Sequence, residues 1–129
     1  MKRVPTIAAV AAALSFFSTA AYAAYPFISD VPNVRVMMNG SSGVISFKVS
    51  DNEAPADQLT LSYTCDNPTL VPADDAHITL GGSGEDRTIV ITPVDNLVGQ
   101  ATITIKVTDT DGDSNEDSLT VEVVKGAGY

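Results

Sequence analysis

From Val34 onward the chain alternates apolar and polar side chains in short runs. Val34, Val36 and Met38 are separated by Arg35 and Met37, and Ile45, Phe47 and Val49 by Ser46 and Lys48. Leu59, Leu61, Tyr63 and Cys65 share one phase of LTLSYTC. Ile78 and Leu80 alternate with His77 and Thr79, and Ile89 and Ile91 stand between Thr88 and Thr92. Ala101, Ile103, Ile105 and Val107 are interleaved with Thr102, Thr104, Lys106 and Thr108, and Leu119, Val121 and Val123 close the series. A period of two puts alternate side chains on opposite faces of an extended strand, so each run predicts a strand with one face in a core and one in water. Gly, Pro, Asn and Asp bound the runs, and GGSGED reads as a glycine-rich turn between two of them. No stretch after residue 23 shows helical periodicity. About seven short strands in about a hundred residues predict an all-β, antiparallel two-sheet sandwich.

The first residues follow a different pattern. Lys2 and Arg3 precede the apolar run Ile7–Phe17, and Ala21-Tyr22-Ala23 offers small residues where a signal peptidase reads. This predicts a secretory signal peptide over 1–23, cleaved after Ala23, with an uncleaved anchor as the alternative. The sandwich is then expected over 24–125 and a frayed tail, GAGY, over 126–129. The expected location is outside the cytoplasm: periplasm, cell surface or medium.

Charge sharpens the picture. The chain has seven Lys and Arg against sixteen Asp and Glu, a net charge of −9. It falls to −11 once Lys2 and Arg3 leave with the leader. Such a surface repels nucleic acid and anionic lipid and attracts cations, so neither nucleic acid nor stable membrane insertion is expected of the cleaved chain. The single cysteine excludes a disulfide framework within one chain. Cys65 falls in the inward phase of its strand and reads as a small buried hydrophobe.

The acid is concentrated in VTDTDGDSNED, Val107–Asp117. In an up-and-down sandwich the second and sixth predicted strands end at the same pole. Asp51 and Glu53 follow the second, and Asp109, Asp111 and Asp113 follow the sixth. These five carboxylates are therefore candidate ligands for a hard cation such as calcium, which takes six to eight oxygens. Two look-alikes fail. DTDGDSNEDSLT has glycine at the fourth position and Thr120 at the twelfth, unlike an EF-hand loop. GGSGED is one copy of a motif that binds calcium only when stacked.

Over Ile28–Val124, the segments ISDVPNVRV, VISFKVSDNEAPADQLTLSYTCDNPTLVP and ITLGGSGEDRTIVITPVDNLVGQATITIKVTDTDGD resemble the bacterial cadherin-like and immunoglobulin-like repeats of surface and secreted proteins. The resemblance implies an immunoglobulin-like (cadherin-like) sandwich acting as a spacer, adhesive or accessory module. It also implies calcium ligation by Asp51-Asn52-Glu53 and Asp109, with Asp95-Asn96 near the place of a further acidic motif.

Function classes can be ranked on the same residues. One His and one Cys outside any recognisable motif give no support to nucleophilic or transition-metal catalysis, and His77 reads as a solvated surface residue. The expectation is a non-catalytic, exported interaction or structural module that meets a protein or cell-surface partner and binds calcium weakly. A carbohydrate-binding or enzyme-accessory module is the alternative, with few aromatics to build a sugar platform (Tyr25, Phe27, Phe47, Tyr63, Tyr129). A filament subunit is a further one, because AYPFIS at Ala24–Ser29 is apolar enough to add as a strand to a neighbour.

Overall fold

The computed structural model describes residues 25–126. The leader expected over 1–23 and the end of the tail, 127–129, lie outside the described residues. Eight strands follow one another: β1 (Phe27–Ile28), β2 (Val34–Met37), β3 (Ile45–Ser50), β4 (Thr60–Cys65), β5 (Ile78–Ser83), β6 (Asp86–Ile91), β7 (Gly99–Thr108) and β8 (Ser114–Val124). Among the described residues a single 3-10 turn, Ala56–Gln58, interrupts the β3–β4 connection. The strands form two four-stranded sheets, ordered β1-β3-β6-β5 and β2-β8-β7-β4.

The core is the interdigitated inner phases of the two sheets. Ile45, Phe47, Val49, Ile78, Ile89 and Ile91 come from the first, and Val36, Ala101, Ile103, Ile105, Val107, Leu119, Val121 and Val123 from the second. All were placed inward by their period of two, because one face of each sheet is dry and the other wet. Leu59 is buried, while Leu61, Tyr63 and Cys65 are half-buried against the core. Partial burial pushes the Cys65 thiol up.

Two details of the expected sandwich are corrected, and one strand is added to the seven read from the sequence. The sandwich is not antiparallel throughout, since β2 runs parallel to β8 from Val34 opposite Val121 to Met37 opposite Val124. Nor is it up-and-down: only β5–β6 and β7–β8 are hairpins between neighbours, and the β1–β2, β2–β3, β3–β4, β4–β5 and β6–β7 connections cross between sheets. The eighth strand is β1, which lies in the apolar arm and pairs within its own chain, Phe27 opposite Ser50 and Ile28 opposite Val49.

The hairpins and the parallel pair define two poles. At one, β3 and β7 end, β8 begins, and β1 brings in the amino-terminal segment. At the other lie the ends of β2 and β8. There Asn39 and Asn96, both at positive φ, lock two loops together: Asn96 N–H donates to Asn39 Oδ1 at 2.6 Å and Asn39 Nδ2 to Asn96 Oδ1 at 3.3 Å.

Candidate functional site

The first pole carries the acid. Asp109 directly follows β7 and is only 6% exposed. Its Oδ1 accepts the backbone N–H of Asp111 and of Asp113, each at 2.9 Å. Asp109 N–H donates to the carbonyl of Asp113 at 2.9 Å, and Gly112 N–H to the carbonyl of Asp109 at 3.2 Å. Gly112 turns the loop at φ +92°. One side-chain oxygen thus shapes the whole β7–β8 connection. The other, Oδ2, is buried without a hydrogen-bond partner.

Carboxylate oxygens of Asp109, Asp111 and Asp113 all lie within 4.8 Å of one another. Oxygens sharing one calcium at about 2.3–2.6 Å cannot stand more than about 5 Å apart, so the spacing suits that ion.

The β3–β4 connection supplies the other side. Asp51 is half-buried, its Oδ2 enclosed and unpartnered like that of Asp109. Glu53 is exposed, and its carboxyl meets that of Asp111. Partial desolvation, followed by the carboxylates of Asp111, Asp51 and Asp109, pushes the Glu53 carboxyl above its ordinary value. Among the described residues, the carboxylates grouped at ligand spacing are those of Asp109, Asp111 and Asp113, and Asp51 and Glu53 of the β3–β4 connection lie within electrostatic reach of that group. Two carboxylate oxygens withdrawn from water with no donor carry a desolvation cost that a divalent cation would offset.

Other residues hold the pole in place and were not legible as such. The Arg87 guanidinium donates to the carbonyls of Gly84 at 2.7 Å, Ala56 at 2.8 Å and Leu59 at 3.4 Å, tying the connection that bears Asp51 and Glu53 to β6. Asp117 Oδ2 accepts Val31 N–H at 2.8 Å, and Asn115 Nδ2 donates to the carbonyl of Pro26 at 3.2 Å. These contacts fasten the amino-terminal segment beside the acid, where Tyr25 is 68% exposed.

Asp95-Asn96 is elsewhere. Asn96 is bonded to Asn39 at the opposite pole, so the acidic motif that the cadherin pattern places ahead of the sixth predicted strand has no counterpart here. His77 is also corrected, since it precedes β5 in a turn rather than lying on the strand. Its Nδ1 sits 2.8 Å from Asp74 Oδ1, which also accepts the N–H groups of His77 and Ala76.

The His77 side chain, against some desolvation and with those backbone donors, holds the Asp74 carboxyl below its ordinary value. A depressed folded-state pKa adds stability above the unfolded value, and this is lost as pH falls through the folded one. Acid unfolding followed by circular dichroism below about pH 4 should accordingly be less steep in Asp74→Asn than in the wild type. Equal slopes would remove Asp74 from the acid response.

At the sequence level no family and no curated protein matches the chain. Solved structures do. The titin M3 domain superposes with a TM-score of 0.54 at 20% identity, covering 78% of this chain and 97% of that one. The fold is immunoglobulin-like. The Ig1-2 module of the Drosophila receptor protein tyrosine phosphatase DLAR gives 0.58 at 15% identity over 81% of this chain, which spans about half (51%) of that chain. Dpr1 IG1, solved bound to DIP-eta IG1, gives 0.53 at 12% identity over 77% of this chain and 95% of that one. The sheet orders agree with an immunoglobulin sandwich, with the amino-terminal portion divided between both sheets as β1 and β2.

Proposed function

We propose that this is an exported, non-catalytic interaction module, serving adhesion or assembly, whose acidic pole binds calcium. The observation that carries the metal reading is the buried, unpartnered Oδ2 of Asp109, on a carboxylate grouped with those of Asp111 and Asp113. Asp51 Oδ2 and the crowded Glu53 add the oxygens of a second loop. Water would complete the shell. Export rests on the charged, apolar and small-residue sequence of 1–23. An interaction role is supported by a fold that in Dpr1 engages another immunoglobulin domain. It suits an acidic surface with ordered loops at both poles, and a protein or cell-surface partner fits it.

The carbohydrate reading has less to stand on. A groove of about 370 Å³ on the outer face of the second sheet is lined by Asn33, Val34, Arg35, Gln100, Thr120 and Glu122. It offers a sugar no aromatic ring to stack on.

The test uses secreted protein, whose intact mass should begin at Ala24. After chelator treatment it is titrated calorimetrically with calcium. One saturable site per chain is expected, with Kd in the range of about 10⁻⁴–10⁻³ M found in extracellular modules. Magnesium should compete poorly. No saturable binding up to about ten times that range would reduce the pole to a solvated loop tip.

A further inference from the structure

The lock at the far pole is built around a reactive pair of residues. Six asparagines occur in the chain, and Asn39 alone is followed by glycine. Asparagine is chemically labile, and most so before glycine, whose backbone nitrogen can attack the carboxamide with no Cβ beside it. The fold itself calls for both residues. Gly40 N–H donates to the carbonyl of Met37 at 2.9 Å, which closes a four-residue turn. Its third residue, Asn39, lies at φ +68°, in the left-handed region that asparagine tolerates better than most side chains. Met38 is not at positive φ, so the turn is type II. A Cβ at Gly40 would stand 3.1 Å from the Met37 carbonyl oxygen, tighter than an ordinary contact.

The same turn keeps the pair from reacting. In a type II turn ψ of the third residue is about 0°, so Asn39 Cβ stands about 120° from eclipsing the Gly40 nitrogen, and a cyclic imide needs the two eclipsed. The Gly40 N–H must also leave its bond to Met37 before that nitrogen can attack. Asn96 holds the carboxamide as well. Its N–H donates to Asn39 Oδ1 at 2.6 Å, and its Oδ1 accepts from Asn39 Nδ2 at 3.3 Å. Asn96 is itself at φ +66°. Both side chains are exposed, so water reaches the site as soon as these contacts part.

We propose that Asn39 is a deamidation site held latent by this turn and by Asn96, and converted when the far pole opens. The Gly40 nitrogen bonds to Asn39 Cγ, the Cγ–Nδ2 bond breaks, and Nδ2 leaves as ammonia with the proton of Gly40. Water then adds to the cyclic imide. Opening at Cγ gives aspartate, and opening at the main-chain carbonyl gives isoaspartate. No oxidant or reductant enters. Aspartate has no Nδ2 to donate to Asn96, and it adds a charge to a chain already at −9. Isoaspartate puts one more carbon into the main chain of the turn that the Gly40–Met37 bond closes. Either product disfavours closure. The change therefore marks a molecule whose pole has opened locally, and refolding does not reverse it.

The test compares rates of conversion at mildly alkaline pH, read by mass spectrometry of the peptide that contains Asn39. In concentrated guanidinium chloride Asn39 should convert faster than the other five asparagines. There Gly40→Ala should slow it at least about tenfold, by placing a Cβ beside the attacking nitrogen. In the native protein conversion should be at least about tenfold slower than in denaturant, because the turn and two further hydrogen bonds must open first. Asn96→Gly keeps the loop's backbone but drops the bond to Asn39 Nδ2, and should raise the native rate by about two- to tenfold. Asn96→Ala also strains φ +66° and should raise it further. Neither change should alter the rate in denaturant. Native wild-type protein that converts as fast as the unfolded chain overturns the proposal. So does an unfolded chain in which Asn39 reacts no faster than the other asparagines, or a folded Asn96→Gly protein that converts at the native wild-type rate.

Discussion

Asp109→Asn is expected to melt no lower than the wild-type protein without calcium, and to lose the rise in melting temperature that calcium gives the wild type. The carboxamide keeps an Oδ1 to accept the N–H groups of Asp111 and Asp113, so the loop retains its shape. What changes is the buried, unpartnered oxygen, which becomes a donor amid carboxylates. The like-charge cost falls and a ligand disappears. In the wild type, calcium at ten times its Kd should stabilise the fold by about 1.4 kcal/mol. For a domain of about a hundred residues that is about 6–11 °C. Asp109→Ala separates the two roles, since it strands both backbone donors and should melt below wild type even without metal. The control is Asp74→Asn at the opposite pole, which should leave the calcium response whole. A full calcium shift in Asp109→Asn would exclude this side chain as a ligand.

The largest loss of stability is expected from Ile103→Ala. Ile103 is fully buried on β7, flanked by Cys65 of β4 and Leu119 of β8. Removing its side chain opens a cavity in the middle of the sandwich, at a cost of about 2–5 kcal/mol. The melting temperature should fall by about 10–20 °C or more. In urea the midpoint should drop while the slope holds, because the surface exposed on unfolding is unchanged. Val98→Ala, at an exposed position, should stay within about 0.5 kcal/mol of wild type. A cost below about 1 kcal/mol for Ile103→Ala would mean that the sheets close over the gap.

How much of this was readable from the sequence varies with the strand. β3, β7 and β8 are legible because each has one dry face and one wet one, and Thr or Lys marks the wet side of β7 at every other position. β4 is legible only in part. Its inward phase was clear, but at the sheet edge Leu61, Tyr63 and Cys65 remain half-buried, and alternation does not reveal which strand is outermost. β1 spans two residues, too short to show a period. The parallel pairing of β2 with β8 could not be read at all, since a period of two is the same in either direction.

The site divides similarly. Acid following two strands that end at one pole can be read from strand order, and Asp109, Asp111 and Asp113 form a close group with Asp51 and Glu53 on the neighbouring connection. Asp109 itself, an Asp in a polar loop, gave no sign that it would be buried. Arg87 was equally silent, because its partners are backbone carbonyls of Ala56, Leu59 and Gly84, which no side-chain pattern marks.

The parallel pair has a mechanical consequence. The chain enters at Tyr25 beside the acidic pole, β2 runs away from that pole along the last four residues of β8, and β8 ends at the other pole, where the chain leaves at Lys125. Tension applied between these two points drags β2 toward one pole and β8 toward the other, along their common axis. The rungs from Val34–Val121 to Met37–Val124 then share the load side by side, as in a lap joint, instead of parting in sequence like a zip.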